Sequence, residues 1–215
     1  MIDISTAVDR TEGVRPAIQA RSLKKRNVLL QEGMALMQEK PLDEISIKEI
    51  CQSAHCTVGS FYSRFADKES YFDAMLAYAS EIAMARAEAL FMSGSWEDQS
   101  GEEVSRAIVE FILQLFKADF SPVITEAFFR ESRGQKFSTP IDEVGKRFGQ
   151  VIFSILLPHV DSRLHPQPIE AMSFALQVIY STLINASLRK TMIQMGTAEF
   201  DTQLHTLFRQ YLGIR

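Results

Sequence analysis

Apolar side chains recur along most of the chain at intervals of three and four residues, which is the spacing of one side of an α-helix. In the first clear example, Leu29, Gly33, Leu36 and Met37 form one apolar stripe, and Pro41 ends the pattern. Strand-like alternation never continues for more than a few residues, and no internal repeat is present. The pattern predicts an all-α protein with about nine helices.

Residues that favour helix ends mark where these helices begin. Ser46 and Glu49 have the spacing of a capping box, in which each residue bonds the backbone of the other. Four other side chains precede an apolar run and are predicted to cap the helix that begins there: Thr57, Asp67, Ser100 and Thr197. Ser121-Pro122 and Thr139-Pro140 place a proline where a first helical turn tolerates it.

Residues 46–65 combine two short helices with a tight turn between them. The turn falls at His55, a position that favours positive φ, and Ala54 is small because the two helices cross beside it. Phe61 and Phe65 are predicted to point into the interior. This is the helix-turn-helix plan, in which the second helix enters the DNA major groove and the first supports it.

The charge distribution is uneven, although the net charge is only −4. Residues 1–70 hold ten basic and ten acidic side chains, whereas residues 71–215 hold 13 basic and 17 acidic ones. Between Arg10 and Arg26, six basic residues accompany the single acid Glu12. Such a block is typical of a solvated, disordered arm. Placed before a DNA-reading domain, it would instead contact phosphates.

The sequence offers little for catalysis or for a cofactor. Cys51 and Cys56 lack the further ligands that a metal site needs, so a structural role is favoured, with redox sensing by one of them as the alternative. His159, Asp161 and His165 lie in a proline-flanked stretch typical of an ordinary connection. Motifs of zinc proteases, phosphate-binding loops and serine hydrolases are absent. We therefore expect no enzyme activity, no metal and no cofactor.

Membrane and secretory signals are also missing from the pattern. No apolar run approaches the roughly 18 residues that a membrane span requires. The first ten residues do not have the pattern of a secretory signal, and two cysteines five positions apart do not make a disulfide framework. We expect a reduced, cytoplasmic protein that has no membrane partner.

The segment "SIKEICQSAHCTVGSFYSRFADKESYF" resembles the N-terminal DNA-binding domain of TetR/AcrR-type transcriptional regulators. The resemblance extends over about Arg26–Met75, where the small residue, the turn, the cap, the glycine, the Phe-Tyr pair and the Asp-Lys-Glu helix start fall in register. Two positions depart from the family pattern, since His55 and Pro41 stand where glycine is usual or frequent.

The resemblance implies three regions: a flexible basic arm over 1–20, a helix-turn-helix domain over 21–66 and an effector-binding and dimerisation domain over 67–215. It implies a ligand-responsive repressor that binds a palindromic double-stranded DNA operator as a homodimer. An activator of the same fold, or a helical ligand-binding module that has lost DNA binding, is the alternative. The residues expected to contact DNA are Ser46, Lys48, Thr57, Val58, Gly59, Ser60, Tyr62, Ser63, Arg64 and Lys68.

The family's C-terminal domain encloses an apolar cavity, and fifteen phenylalanines would suit an apolar or aromatic small-molecule effector. Five of them are candidate ligand contacts, with simple core filling as the alternative: Phe111, Phe116, Phe128, Phe148 and Phe174. The last two predicted helices each carry an apolar side that could close a four-helix bundle across a two-fold axis. The residues predicted for that dimer interface are Met172, Leu176, Ile179, Leu183, Leu204, Leu207 and Phe208.

Overall fold

The computed structural model describes residues 5–17, 19–92, 94, 96–137, 139–188 and 194–215. Within them every regular element is helical. The α-helices are α1 Ser5–Asp9, α2 Ala20–Met37, α3 Ile47–Ser53, α4 Val58–Tyr62, α5 Lys68–Phe91, α6 Gly101–Phe116, α7 Ser121–Ser132, α8 Thr139–Leu156, α9 Pro168–Leu188 and α10 Ala198–Tyr211. Short 3₁₀ turns lie at Leu42–Glu44 and Leu157–His159. The predicted all-α fold is confirmed.

The predicted helix starts carry the hydrogen bonds that the sequence pattern indicates. The Glu49 N–H donates to the Ser46 hydroxyl at 3.2 Å, and the Ser46 N–H donates to the Glu49 carboxylate at 2.7 Å. The Lys40 ammonium, 2.6 Å from the Glu49 carboxylate, and hydrogen bonds from the Ser46 backbone and side chain lower the pKa of Glu49 to about 2, so this cap stays ionised at neutral pH. Backbone N–H groups also donate to the side chains of Thr57, Asp67, Ser100 and Thr197.

The chain divides into two compact units. The first contains Met1–Ala85 and Asp119–Lys146, and the second contains Arg86–Ala118 and Arg147–Arg215. This differs from the division at residue 66 predicted from the sequence, because most of α5 and all of α7 pack in the same unit as α2–α4. As boundaries of functional domains, 1–20, 21–66 and 67–215 stay a prediction.

An aromatic cluster forms the centre of the first unit. The fully buried rings of Phe61, Phe65 and Tyr71 have centroids 5.0 to 5.2 Å apart. The Tyr71 hydroxyl donates a 2.6 Å hydrogen bond to the Leu29 carbonyl oxygen, and the ring lies over Gly33. These contacts fix α4 and the start of α5 against α2. Burial raises the pKa of the Tyr71 phenol well above its ordinary range, so it stays a donor.

The N-terminal segment 5–17 packs on the same unit. Ala7 and Val8 are fully buried. The Asp9 carboxylate pairs with the guanidinium of Arg26, whose side chain is completely buried in α2. A buried guanidinium requires such a partner, because an unpaired charge in the interior is costly. The segment therefore has packed positions where the sequence pattern predicts a flexible arm.

The turn between α3 and α4 has the predicted left-handed residue. His55 has a φ of 49°, and its side chain is exposed. The Cys56 N–H donates to the Cys51 carbonyl oxygen at 2.9 Å, which closes the turn after α3. A non-glycine residue at positive φ is uncommon, and histidine is among those that tolerate it.

The core of the second unit is predominantly apolar, although Ser105 is also fully buried. Its largest contributors include Phe91, Ile108, Ile112, Phe116, Ile152, Leu156, Met172, Ile179, Leu183, Leu204 and Phe208. The side chains of Ile214 and His159 pack directly against the backbone of Gly101 in this unit, because a Cβ on Gly101 would lie 2.7 Å from the former and 3.1 Å from the latter. No helix among the described residues combines the length and apolar character needed to cross a membrane.

Gly33→Ala is expected to destabilise the chain by about 1–3 kcal/mol, although alanine is the better helix former. The added Cβ would overlap the Tyr71 hydroxyl and lie 2.8 Å from the Met75 sulfur. Tyr71→Phe alone should cost about 1 kcal/mol through the lost hydrogen bond. Tyr71→Phe also removes the atom nearest to the added Cβ. The double variant should therefore lose less unfolding free energy, measured in urea, than the two single variants lose together.

Gly59→Ala is the matched control for this clash, since its added Cβ would meet nothing nearer than the Thr57 hydroxyl at 3.7 Å. It should leave the unfolding free energy unchanged or raise it by up to about 1 kcal/mol. Strictly additive effects of Gly33→Ala and Tyr71→Phe would contradict the close contact, because independent sites add to within about 0.5 kcal/mol.

Substitutions at His55 should follow the backbone strain at positive φ. His55→Gly should hold or raise the free energy of unfolding by up to about 1 kcal/mol, whereas His55→Val should lower it by about 1 kcal/mol or more. Gln52→Val is the control at an exposed α3 position, where only helix propensity of about 0.5 kcal/mol is lost. Equal stability of the His55→Val and wild-type proteins in urea would rule out the strain.

Candidate nucleic-acid interface

The outer side of α4 is the surface that the sequence predicts to meet DNA. Val58 and Tyr62 are 43% and 46% exposed, whereas Phe61 on the inner side is fully buried. The predicted contacts on this side are all exposed or half-buried: Thr57, Val58, Gly59, Ser60, Tyr62 and Ser63. One short helix thus presents hydroxyl, phenol and small apolar groups to the outside while its other side anchors it.

Local hydrogen bonds hold this outer surface in shape. The Ser60 N–H donates to the Thr57 hydroxyl at 3.1 Å, and the two hydroxyl oxygens are 3.0 Å apart. The Ser63 hydroxyl donates to the Ser60 carbonyl oxygen at 2.8 Å. Gly59 has no packing constraint within the chain, so its missing side chain leaves the surface low enough for another molecule to approach.

The predicted cations lie around this surface with different surroundings. Arg64 is half-buried, and its guanidinium donates to the Ser22 hydroxyl at the start of α2. The Lys68 ammonium, at the first position of α5, donates to the Asp43 carbonyl oxygen at 3.3 Å. At the start of α3, Ser46 and Lys48 are exposed. The geometry thus places Arg64 in a structural contact as well as near the predicted surface.

Arg130 of α7 is a central residue of this unit that the sequence pattern does not reveal. Its guanidinium is buried, lies 4.0 Å from the centre of the Phe72 ring and pairs with Glu69 of α5. It also lies 2.8 Å from Glu126 and 4.0 Å from Asp43. Burial opposes its charge, but the bonds with the two glutamates raise its pKa further. Arg130 therefore ties α7 to the start of α5, which carries Lys68, and lies within ion-pair distance of the turn that precedes α3.

The two cysteines are free thiols. Cys51 is buried in α3, and burial, with Cys56 as a neighbour, raises the pKa of its thiol to about 11. A thiol that stays protonated is a poor nucleophile and a poor metal ligand. Among the described residues, no three His, Cys, Asp or Glu side chains are grouped in a way that could hold a metal ion.

The five predicted ligand contacts do not come together in one place. Phe111 and Phe148 stack with ring centres 5.9 Å apart, whereas Phe116 packs on Tyr180 at 6.1 Å. Phe174 is 52% exposed, and Phe128 belongs to α7 in the first unit. Phe111 and Phe116 are buried in the core of the second unit, so they fill space in this structure. An effector role for the set stays a prediction.

Six of the seven residues predicted for the dimer interface are buried within the chain itself: Met172, Leu176, Ile179, Leu183, Leu204 and Phe208. They belong to the core between the helices of the second unit, so their side chains are not available to a partner. The reason is that each of these helices is apolar over more than one side, and the sequence does not say which side turns inward. Leu207 is 45% exposed and is the predicted residue that an interface could use.

Comparisons with known proteins agree with the helix-turn-helix assignment. Residues 29–75 match the family model described as bacterial regulatory proteins, tetR family, and this range contains α3, α4 and the aromatic cluster. A comparison with curated proteins found no match.

Among solved structures, the chain is similar to a tetR-family transcriptional regulator from Streptomyces coelicolor, with a TM-score of 0.66 and 21% identity over 88% of this chain and 80% of that one. It is similar to a protein described as a TetR-family regulator from Mesorhizobium loti, with a TM-score of 0.68 and 15% identity over 91% and 98% of the two chains. GusR of Salmonella enterica has a TM-score of 0.56 and 16% identity over 91% and 98%. The helix-turn-helix region thus matches the tetR family of bacterial regulatory proteins, and over most of its length the chain has the fold of TetR-family transcriptional regulators.

Proposed function

We propose that this DNA-binding regulator is a ligand-responsive repressor that binds a palindromic operator as a homodimer. The observation that carries the proposal is the outer side of α4, where Val58, Tyr62 and Ser63 are exposed on a helix anchored by Phe61 and Phe65. A helix so anchored can enter a major groove without rearrangement. The polar groups around it are short, so base discrimination comes from small contacts, including methyl contacts of Val58.

Phosphate contacts surround this helix in the proposal. Ser46 and Lys48 at the start of α3, and Lys68 at the start of α5, would hold the sugar–phosphate backbone on either side of α4. Tyr62 would donate its phenolic hydroxyl to a phosphate at the other end of α4. Arg64 would act chiefly through its bond with Ser22, which fixes the end of the helix.

Selection from a random-sequence duplex pool tests the proposal directly. The selected sequences should contain an inverted repeat whose half-sites are about 34–36 Å apart, or a multiple of that distance, because two helices must enter grooves on one side of the duplex. Tyr62→Ala should weaken binding to the selected operator by about tenfold or more but lower the thermal midpoint only slightly, since nearly half of the side chain is exposed. Selection of no sequence, or unchanged affinity in the variant, would contradict the proposal.

The homodimer is supported by the outer surface of α9 and α10. The two helices border an open groove of about 1020 Å³ whose lining includes Thr182, Asn185, Gln203 and Leu207. Phe174, largely exposed on α9, packs on Tyr211 with ring centres 5.5 Å apart. An exposed surface that contains Phe174 and Leu207 is suited to a second copy of the same surface across a two-fold axis.

Leu207→Glu should shift the protein toward monomer, because it places a charge in an apolar interface. Sedimentation velocity at micromolar concentration measures the change, and operator affinity should fall with it although Leu207 is in the unit that does not contain α4. Met92→Glu is the control, since Met92 is also exposed but lies at the end of α5. A monomeric wild-type protein, or equal effects of both substitutions, would count against the interface.

The effector would bind in the second unit, where aromatic rings are dense. Phe91 packs on Trp96 and Phe111 with ring centres 5.5 and 5.3 Å apart, next to the stacked Phe148. Such a lining suits an apolar or aromatic molecule. If the effector favours a state that binds DNA less well, DNA must reduce effector affinity by the same factor, which makes the compound an inducer.

A further inference from the structure

We propose that Arg15, Arg21 and Lys25 form a second DNA-contacting surface, which binds the phosphate backbone beside the C-terminal end of α4. The inference rests on the proposed function, since it extends the footprint of the same helix-turn-helix. It changes the role of the N-terminal region from a flexible arm to an ordered part of the DNA-binding surface.

The first step is the attachment of the N-terminal segment to the end of the helix-turn-helix. The Arg15 N–H donates to the Arg64 carbonyl oxygen at 2.8 Å, and the Ala66 N–H donates to the Gly13 carbonyl oxygen at 2.9 Å. Gly13 has a φ of 73°, and a Cβ there would lie 2.7 Å from the Ser70 Cβ. The backbone of Arg15 is therefore fixed beside Arg64, which follows the exposed Tyr62 by two residues.

The second step is the register of α2, which decides which of its cations lie toward α3 and α4. Glu32 accepts a 2.5 Å hydrogen bond from the Ser53 hydroxyl at the end of α3. Lys25 is seven residues before Glu32 and Arg21 is eleven before it, so helical geometry places all three on one stripe. Ser22, in the first turn of the same helix, accepts a hydrogen bond from the Arg64 guanidinium, so this end of α2 lies close to the end of α4. The Arg21–Lys25 side of α2 is thus the side next to the helix-turn-helix.

The third step is the charge that remains after internal pairing. Arg10 pairs with Glu143 at 2.8 Å, and Arg26 pairs with Asp9. Arg15, Arg21 and Lys25 are exposed, and no ion pair engages their side chains within the part of the chain that the structure describes. Glu12 is the one acidic residue between Arg10 and Arg26, and it is exposed. Three solvated cations remain beside a helix that is suited to a major groove, and phosphate is the partner that matches them.

Lys24 supplies an internal control for this geometry. It lies seven residues before Gln31, whose amide donates to the Tyr78 hydroxyl of α5 at 3.1 Å. Lys24 is therefore on the α5 side of the same helix, one residue from Lys25 but about 100° away around the axis. Lys24→Gln and Lys25→Gln remove the same charge from neighbouring exposed positions, yet only one of them is on the proposed surface.

The experiment measures operator affinity of the full chain by fluorescence anisotropy over a range of KCl concentrations. Each lost phosphate contact should reduce the slope of log affinity against log salt by about 0.9. Each substitution is present in both subunits of the proposed homodimer, so Lys25→Gln should reduce the slope by about 1.8 and the triple variant Arg15→Gln/Arg21→Gln/Lys25→Gln by about five units, whereas Lys24→Gln should leave it unchanged. The thermal midpoints should match that of the wild type, because all four side chains are exposed.

A second arm varies the DNA rather than the protein. The triple variant should bind a duplex trimmed to the two half-sites as well as the wild type does, because the proposed contacts would then have no phosphates to meet. Equal salt slopes for the wild-type and triple-variant proteins on the long duplex would overturn this inference but not the proposed function. An equal reduction of the salt slope in Lys24→Gln and Lys25→Gln would do the same. Failure of the wild-type protein to bind any selected operator would overturn the proposed function as well.

Discussion

The position of α4 depends on one buried contact, the Tyr71 side chain lying over Gly33 with its hydroxyl bonded to the Leu29 carbonyl oxygen. Tyr71 reaches α2 because Gly33 has no side chain, and its ring then supports Phe61 and Phe65. A larger residue at position 33 would push the ring outward. Since α4 has only five residues, it has little stability of its own, and this support from α2 and α5 makes its outer side a defined surface.

Charged groups add a second set of ties to the same unit. Arg26 joins α2 to the N-terminal segment through Asp9, and Arg130 joins α7 to the start of α5 through Glu69. Buried ion pairs add little net stability, but breaking one is costly because the remaining charge is left without a partner. These pairs therefore specify which segments pack together: the N-terminal segment on α2, and α7 on the start of α5.

In the second unit, the apolar side chains of α9 and α10 are divided between the core and the surface. Its helices are apolar over broad surfaces, so the core takes Leu183 and Leu204 while Leu207 and Phe174 stay outside. The exposed pair, not the buried one, is the part of α9 and α10 that association would use. The aromatic residues divide similarly, since Phe111 and Phe148 meet each other whereas Phe116 packs elsewhere.

The sequence by itself determined the all-α fold, the capped starts at Ser46 and Thr57, and the strained turn at His55, because each follows from local spacing and backbone preference. Tertiary structure alone decided that residues 5–17 pack, that Arg130 becomes buried beside Glu69, and which side of α9 and α10 turns inward. These outcomes depend on contacts between residues far apart in the chain. A local pattern shows that a helix has an apolar side, but only the assembled chain selects the surface that covers it.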